Sequence, residues 1–388
     1  MLHKVAVTTT SLLAGACLLA APAAARVLGD DVTARPANGA TPEFRSTPRA
    51  TATCGAEPTS AAGWERLFDA QSGSWSGGDG AASVRLDDGR RLWFFGDTFV
   101  GDVSPNGRRS DSTRIVRNSA VITDASCVEP VSTRHDFLPG RAATWLWPTV
   151  ATVTGTAGDG AAVVRVFAQR LAADAASGFG FRRVGVTVAT LRVPAHGTPA
   201  VVAMRDLPAS DVLWGAAVLR EGATTWVYGT RDPGRTLVLG RELLLARAPT
   251  ATLTDARTWR YRTADGWSSR PADAAAIRSA DDGVSTVTSV ARVAGRYVAV
   301  TKAHEFLDDT VVALVAPHPW GPWRDRPLFT APSTDTVMRY QPMLVSARVA
   351  GGVTTLRVVV SRTTTDLRLI RRDAEITRPT FVDVVMPR

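Results

Sequence analysis

The sequence predicts an all-β protein folded as a five-bladed β-propeller, and three observations support this prediction. After about residue 64, short runs of Val, Leu, Ile, Thr and aromatic residues alternate with turns rich in Gly, Asp and Pro, a pattern typical of strands joined by tight turns. Almost no segment has the spacing of an amphipathic helix. A strand-turn-strand unit recurs at intervals of about 55 to 75 residues, the length of a four-stranded blade with long loops.

Each predicted blade begins with a hairpin, and the five hairpins lie at residues 81–95, 148–168, 213–229, 286–301 and 343–360. The first is the clearest, because Asp87-Asp88-Gly89 stands between two apolar runs and glycine supplies the positive φ that a tight turn requires. A pair of β-sandwiches is the alternative architecture. It would predict no recurrence of paired strands and would need no closing strand at the C-terminus.

The segment before the predicted propeller has the pattern of an export signal followed by a leader. Lys4 gives a charged start, an apolar run follows, and small residues precede Arg26. Residues 1–25 are therefore predicted to be a signal peptide, and the protein to be secreted, extracellular or associated with the cell envelope. Residues 26–60 are rich in Ala, Thr, Pro and Arg and predict a flexible leader. Residues 61–388 remain as the propeller domain.

The cysteines fit an exported protein. Removal of the signal takes away Cys17 and leaves Cys54 and Cys127 as a pair. We expect these two to form a disulfide in an oxidising compartment, and two buried free thiols are the alternative.

Composition and motifs exclude several function classes. The net charge of +9 comes almost wholly from arginine, since Lys4 and Lys302 are the only lysines, and this bias gives little support for a nucleic-acid partner. The histidines lack the spacing of a zinc site, and neither a nucleophile elbow nor a phosphate-binding loop is present. No second apolar run is long enough to span a membrane. We expect a monomer without metal or cofactor.

Propeller topology predicts where a site would lie before any motif is considered. In each blade, the start of the innermost strand and the loop after the second strand reach the same face, around the mouth of the channel. The residues predicted there combine acids, bases, amides and aromatic rings, which suits a sugar ligand. They are Asp79, Asp97, Asn118, Trp147, Gln169, Lys302, His304, Glu305, Tyr340, Gln341 and Arg362.

Two motifs carry a resemblance to known families. The segment Trp75–Gly101, WSGGDGAASVRLDDGRRLWFFGDTFVG, together with the following RNSAVI at residues 117–122, resembles the secreted actinobacterial family called domain of unknown function 4185. The PWGPW turn at residues 319–323 is similar to one in five-bladed arabinanase-like glycoside hydrolases. The resemblance covers about residues 64–365. It implies a five-bladed propeller and an endo-arabinanase-like activity on an arabinose-containing envelope or plant polysaccharide.

Glycoside hydrolysis uses two carboxyl groups, one as acid and one as base or nucleophile. Asp79 is the first candidate, because arabinanase-like propellers place a catalytic aspartate where the innermost strand of blade one opens. Asp97 is the second, since it ends an otherwise apolar strand; a turn-forming role is the alternative for both. Glu305 is favoured as proton donor because Phe306 shields it. Glu242 is the alternative donor, although an ion pair would explain it equally well.

Two function classes follow from these residues. The first is a secreted glycoside hydrolase, and the second is a non-catalytic extracellular propeller that binds a glycan or a protein. Arg117 stands where a less bulky polar residue is expected in relatives, which favours altered specificity or lost activity. The sequence leaves the sugar, the linkage and the stereochemical outcome open.

Overall fold

The computed structural model describes residues 57–69, 74–124, 127–132, 134–235 and 238–387. These residues are almost wholly β, as the sequence predicts, with two short α-helices at Ala61–Asp69 (α1) and Leu367–Arg372 (α2). The predicted signal peptide, most of the leader and Cys54 lie outside the described residues. Export and the Cys54–Cys127 disulfide therefore stay predictions.

The strands follow one another closely along the chain. They are β1 (Trp75–Gly78), β2 (Ala82–Arg85), β3 (Arg91–Phe95), β4 (Thr98–Val100), β5 (Arg114–Val116), β6 (Ser119–Asp124), β7 (Cys127–Pro130), β8 (Thr144–Thr156), β9 (Ala162–Ala173), β10 (Phe181–Val193), β11 (Ala200–Asp206), β12 (Leu213–Glu221), β13 (Thr224–Arg231), β14 (Glu242–Pro249), β15 (Arg260–Arg262), β16 (Trp267–Ser268), β17 (Ala276–Arg278), β18 (Ser289–Val293), β19 (Arg296–Thr301), β20 (Thr310–Ala316), β21 (Arg324–Thr330), β22 (Met338–Ala350), β23 (Val353–Thr363) and β24 (Thr380–Val385).

Most strands belong to five antiparallel sheets in which neighbours in sequence are neighbours in space. Sheet one is β2-β3-β6-β7, sheet two β8 to β11, sheet three β12 to β16 with β17 on β14, sheet four β18 to β21, and sheet five β22-β23-β24. Each predicted hairpin is the first strand pair of one sheet. A further small sheet, β1-β4-β5, was not expected from the sequence.

Hydrogen bonds join each of these five sheets to the next, and the fifth to the first. Most involve the first strand of a sheet or a residue beside it, and the first strands of successive sheets also contact one another. The bonds run from Asn118 to Leu146 (3.0 Å), Thr149 to Gly215 (2.7 Å), Thr288 to Ala216 (3.1 Å), Leu344 to Ser289 (2.7 Å) and Ala81 to Ser361 (3.0 Å). The sheets therefore contact one another in cyclic order.

The joint between sheets five and one is made by helix α1. Its rings Trp64 and Phe68 are fully buried and pack on Trp93 of sheet one and on Phe381 of sheet five. Burial of side chains of this size stabilises a fold by about 1.5 to 3 kcal/mol each. Among the described residues, the last strand, β24, pairs with β23 and does not close sheet one. An aromatic helix therefore takes the place of a closing strand.

The first hairpin has the predicted turn. Gly89 has a φ of +90°, and its amide donates to the carbonyl of Leu86 over 3.1 Å. The side chain of Asp88 accepts from Arg90 Nε at 2.8 Å, and Arg90 in turn donates to carbonyls between β10 and β11. The turn thereby also fixes sheet one against sheet two.

Candidate functional site

One end of the five sheets gathers most of the predicted site residues. In every sheet the first two strands are antiparallel, so the start of the first strand lies beside the end of the second. We call this end the mouth. It is defined by the starts of β2, β8, β12, β18 and β22.

Asp79 lies at the mouth just before β2, and it is half-buried. The hydroxyls of Tyr340 and Thr363, both in sheet five, hydrogen-bond its carboxylate. Its backbone amide donates to the carbonyl of Asp97 over 3.2 Å. A Cβ on Gly96 would lie 2.9 Å from Asp79 Oδ1. A side chain at position 96 would therefore displace the carboxyl group of Asp79.

Asp97 follows β3 and connects sheet one to sheet two. Trp147 Nε1 donates to its Oδ1 over 3.1 Å, and Arg117 Nη1 lies 3.7 Å from the same oxygen. About a third of the Arg117 and Asp97 side chains is exposed, so this ion pair adds little to stability. Its effect is to orient Asp97 beside the Trp147 ring.

Burial makes both aspartates weak acids. Burial, with a further contribution from the neighbouring charge of Asp97, raises the pKa of Asp79 to about 7 against the effect of the Tyr340 and Thr363 hydrogen bonds. Burial also raises the pKa of Asp97 to about 6, although Arg117 and Trp147 stabilise its ionised form. The pair therefore still holds a proton close to neutral pH, as expected for two adjacent carboxyl groups with little water.

Glu305 approaches the mouth from sheet four, where it opens the short 3₁₀ turn Glu305–Leu307. Its φ of +56° lies in the left-handed region, which is unfavourable for a residue with a side chain. The backbone amide of Thr286 donates to Glu305 Oε1. Burial raises the pKa of Glu305, and this amide, Arg241 and Lys302 oppose the rise. Glu305 is thus a half-buried carboxyl group held in a strained conformation.

Tyr340 shows that the three candidate acids converge. Its pKa is raised well above the ordinary value by burial, and the charges of Asp79, Asp97 and Glu305 all raise it further. These acids lie in two different sheets, and all three raise the pKa of one tyrosine hydroxyl in a third sheet. The sequence reasoning that placed the four residues at one mouth agrees with this arrangement.

Aromatic rings line the mouth on the side of sheet two. Trp147 lies 4.7 Å from Phe181 between ring centroids, and Trp145 lies 6.5 Å from Trp147. The Arg117 guanidinium lies 4.7 Å from the centre of the Trp145 ring. Gln169 stands directly opposite Trp147 on β9 and therefore on the same face of the sheet. The sequence analysis missed Trp145, although its spacing of two residues from Trp147 indicates a shared face.

Asn118 is not available to a ligand. The residue is fully buried. Its amide donates to the carbonyls of Leu138 and Leu146 over 2.9 and 3.0 Å, and its Oδ1 accepts from the Leu138 amide at 2.6 Å. The predicted ligand contact is therefore replaced by a role in holding the chain between sheets one and two.

Two cationic residues that were predicted to contact a ligand, Lys302 and Arg362, also donate hydrogen bonds to backbone carbonyls. Lys302 is fully buried, and its ammonium donates to the carbonyls of Ala331 and Arg339 over 2.6 and 2.9 Å. Burial lowers the pKa of Lys302 to about 8. Arg362 donates to the carbonyl of Glu375. Both cations fix segments near the mouth through these bonds to backbone carbonyls.

His304 and Gln341 lie at the mouth with side-chain groups that a ligand can contact. His304 is exposed and precedes Glu305. Gln341 has a φ of +47° at an irregularity in β22, and its Nε2 is buried without a hydrogen-bond partner among the described residues. That amide lies near Gly80, since a Cβ there would be 3.8 Å away. A buried donor left unpaired costs free energy, and a ligand oxygen would satisfy it.

Glu242 lies at the mouth end of sheet three but is paired with an arginine. Its Oε2 lies 2.6 Å from Arg231 Nε, and the two residues are directly opposite each other on β14 and β13. The carboxylate therefore already has a cationic partner. Of the two glutamates considered as proton donor, the geometry favours Glu305.

Within the described ranges, no three His, Cys, Asp or Glu side chains are grouped so that they could hold a metal ion. The helices in this part of the chain are also too short or too polar to cross a bilayer.

The sequence model of the family described as Domain of unknown function (DUF5005) matches residues 62–386. The chain belongs to this family. DUF5005 is not domain of unknown function 4185, which the segment Trp75–Gly101 resembles, so membership of that second group stays a prediction. The search of curated proteins finds no match.

This chain is similar to several solved structures, and three of them are as follows. A Bacteroides ovatus protein provisionally described as a hydrolase is 18% identical, with a TM-score of 0.64 over 83% of this chain and 88% of that one. A GH43_1 enzyme from Xanthomonas citri in complex with xylose is 13% identical, with a TM-score of 0.44 over 82% and 92%. A GH43 β-xylosidase/α-arabinofuranosidase from a compost microbial metagenome is 12% identical, with a TM-score of 0.45 over 80% and 91%. The first shows a shared fold, whereas the scores of the other two are too low to support a conclusion.

Proposed function

We propose that this chain is a secreted glycoside hydrolase acting on an arabinose-containing cell-envelope or plant polysaccharide, and that its five sheets are the blades of a five-bladed β-propeller. One observation supports the activity above all others. Asp79, Asp97 and Glu305 reach the same end of the molecule from sheets one and four, and all three raise the pKa of Tyr340. Hydrolysis of a glycoside uses a pair of carboxyl groups that flank the scissile bond, and this cluster can supply such a pair.

Asp79 is the proposed base or nucleophile. Its pKa of about 7 places it near the pH at which a general base works best, because it is ionised yet still binds a proton well. Tyr340 and Thr363 orient the carboxylate through their hydroxyls. Asp97 tunes Asp79 through its charge and is itself fixed by Trp147.

Glu305 is the proposed general acid. Burial favours its neutral form, which is the form that donates a proton to the leaving oxygen. Its left-handed φ is a strain that the fold does not obviously need, and such strain is common at functional sites. The backbone amide and the hydroxyl of Thr286 both hold the carboxyl group in place, and burial raises its pKa against their effect.

A sugar ligand is supported by the surroundings of the acids. Trp147 and Phe181 offer ring surface for the C–H face of a sugar, and the amides of Gln169 and Gln341 can bond its hydroxyls. The arabinose component of the proposal rests on the resemblance of the Trp75–Gly101 segment alone.

A binding-only propeller is the second candidate function. The ion pair between Arg117 and Asp97 favours it, because a cation beside one of the three acids reduces the charge available for chemistry. The two candidates differ in whether a glycan that binds is also cleaved.

The test is release of reducing sugar from debranched arabinan, arabinogalactan and xylan. Asp79→Asn should lower kcat on the order of a thousandfold with little loss of ligand affinity, because the amide neither accepts a proton nor attacks carbon. Glu305→Gln should lose activity on the polysaccharide but keep it on aryl glycosides with activated leaving groups, which need no general acid. Glu242→Gln is the matched control and should keep the activity of the parent.

The outcomes separate the candidates. A fully active Asp79→Asn protein would show that the catalytic centre lies elsewhere, and a parent that binds glycan without cleaving it would favour the second candidate. The protein used should be the exported chain. Its intact mass without reductant is expected to correspond to a start at Arg26 and a closed Cys54–Cys127 disulfide, and two alkylatable thiols would exclude the disulfide.

A further inference from the structure

Two loops from non-adjacent sheets meet at the mouth. Phe179 lies in the turn between β9 and β10 of sheet two, and Phe306 lies in the Glu305–Leu307 turn of sheet four. Their ring centroids are 6.1 Å apart with an interplanar angle of 85°. Sheet three separates sheets two and four in the cyclic order of the fold. The contact therefore joins two sheets that are not neighbours.

This contact completes a line of aromatic rings from one candidate acid to another. Trp147, which binds Asp97, contacts Phe181 at 4.7 Å, and Phe181 contacts Phe179 at 6.2 Å. The line then crosses to Phe306, the neighbour of Glu305. The base side and the acid side of the proposed site are thus connected by one aromatic wall.

The protein covers only part of this wall. Phe179 is 57% exposed, and Trp147, Phe181 and Phe306 are half-buried. Large apolar side chains that stand together in solvent commonly mark a binding surface. The C–H face of a sugar ring would cover them at little cost.

We infer that the Phe179–Phe306 contact closes one side of the mouth to passing polymer chains, so that a chain end enters and its terminal sugar packs on the aromatic wall. This inference rests on the proposed function and specifies its substrate as chain ends. It also departs from the endo-acting mode that the sequence resemblance implies. Phe179 and Phe306 are specificity residues under this inference, since they limit which part of a polysaccharide reaches the acids.

The experiment follows the lengths of the first products released from debranched arabinan. The parent should release mainly one- and two-sugar products from the start. Phe179→Ala combined with Phe306→Ala should raise the share of longer oligosaccharides about fivefold, the change expected when one aromatic contact is lost. Leu307→Ala is the matched control, since Leu307 is an exposed apolar residue of the same turn but is not part of the aromatic wall. Because Phe179 is exposed, Phe179→Ala alone should keep the thermal stability of the parent.

The outcomes distinguish failure of the inference from failure of the proposed function. Random product lengths from the parent, or variants that match Leu307→Ala, would overturn the inference and leave the hydrolase assignment intact. If the parent cleaves nothing, calorimetry with arabino-oligosaccharides whose non-reducing ends are free or blocked decides. Binding of free ends alone would support the inference without hydrolysis, equal binding of both would overturn it, and binding of neither would overturn both proposals.

Discussion

Two ionisable residues near the N-terminal strands, Arg109 and Asp79, have opposite surroundings in the fold. Arg109 is buried, with 1% of its surface exposed, and every nitrogen of its guanidinium has an acceptor. Its partners include Ser76 of the small sheet, Ile370 of α2 and Thr377. The arginine thereby fixes the C-terminal segment on β1.

Asp79, only three residues after Ser76, is surrounded differently. Its carboxyl group faces another acid, Asp97, and receives hydroxyl donors in place of a cation. Its pKa rises as a result, whereas Arg109, with a full set of acceptors, keeps its charge even though burial lowers its pKa to about 10. A buried charge that has all its hydrogen-bond partners holds the fold together. A buried acid without a cation lowers stability and is typical of a catalytic site.

The largest effect on stability is expected when Arg109, whose guanidinium has a full set of acceptors, is replaced. Arg109→Met should lower the free energy of unfolding by about 3 to 5 kcal/mol, because several carbonyls lose their donor at once in a buried place. Urea denaturation measures the loss. Arg108→Met, at the exposed neighbouring position, is the control and should change stability by less than about 0.5 kcal/mol. A loss below about 1 kcal/mol for Arg109→Met would show that the network does not support the fold.

Replacement of Asp79 is expected to raise the free energy of unfolding by a similar amount, and this gain depends on pH. The unfolded chain releases the Asp79 proton near pH 4 and the folded protein near pH 7, so stability falls as the pH rises between these values. Because a tenfold change in proton affinity is worth about 1.4 kcal/mol, Asp79→Asn should be up to about 4 kcal/mol more stable than the parent at pH 8.

The same proteins supply the control for this comparison. Below about pH 4 both carry a neutral side chain at position 79, so their free energies of unfolding should converge. A variant that is less stable than the parent at pH 8 would mean that ionised Asp79 stabilises the fold, contrary to the account.

The features that sequence could predict are those set by local pattern and by topology. Short apolar runs between turns rich in Gly, Asp and Pro placed the five hairpins. The expected antiparallel order of the first two strands in each unit then placed Asp79, Asp97, Glu305 and Tyr340 at one end. These positions follow from where strands begin and end, and no side-chain detail is needed to infer them.

The features that sequence could not predict depend on partners far along the chain. Asn118 and Lys302 have the polarity of ligand-binding residues. Backbone carbonyls, however, accept two hydrogen bonds from the side-chain amide of Asn118 and two from the ammonium of Lys302. The Phe179–Phe306 contact joins residues of two separate loops. Neither kind of contact leaves a signal in local spacing, because each is decided by how whole sheets pack.

The central claim is that the mouth holds an aspartate that keeps its proton near neutral pH, and carbon-13 NMR of aspartate carboxyl groups from pH 4 to 8 tests it most directly. The account predicts one resonance that titrates near pH 7, is absent in Asp79→Asn and titrates at lower pH in Asp97→Asn, since that change removes the neighbouring charge. A parent protein in which every aspartate titrates below about pH 5 would contradict the account.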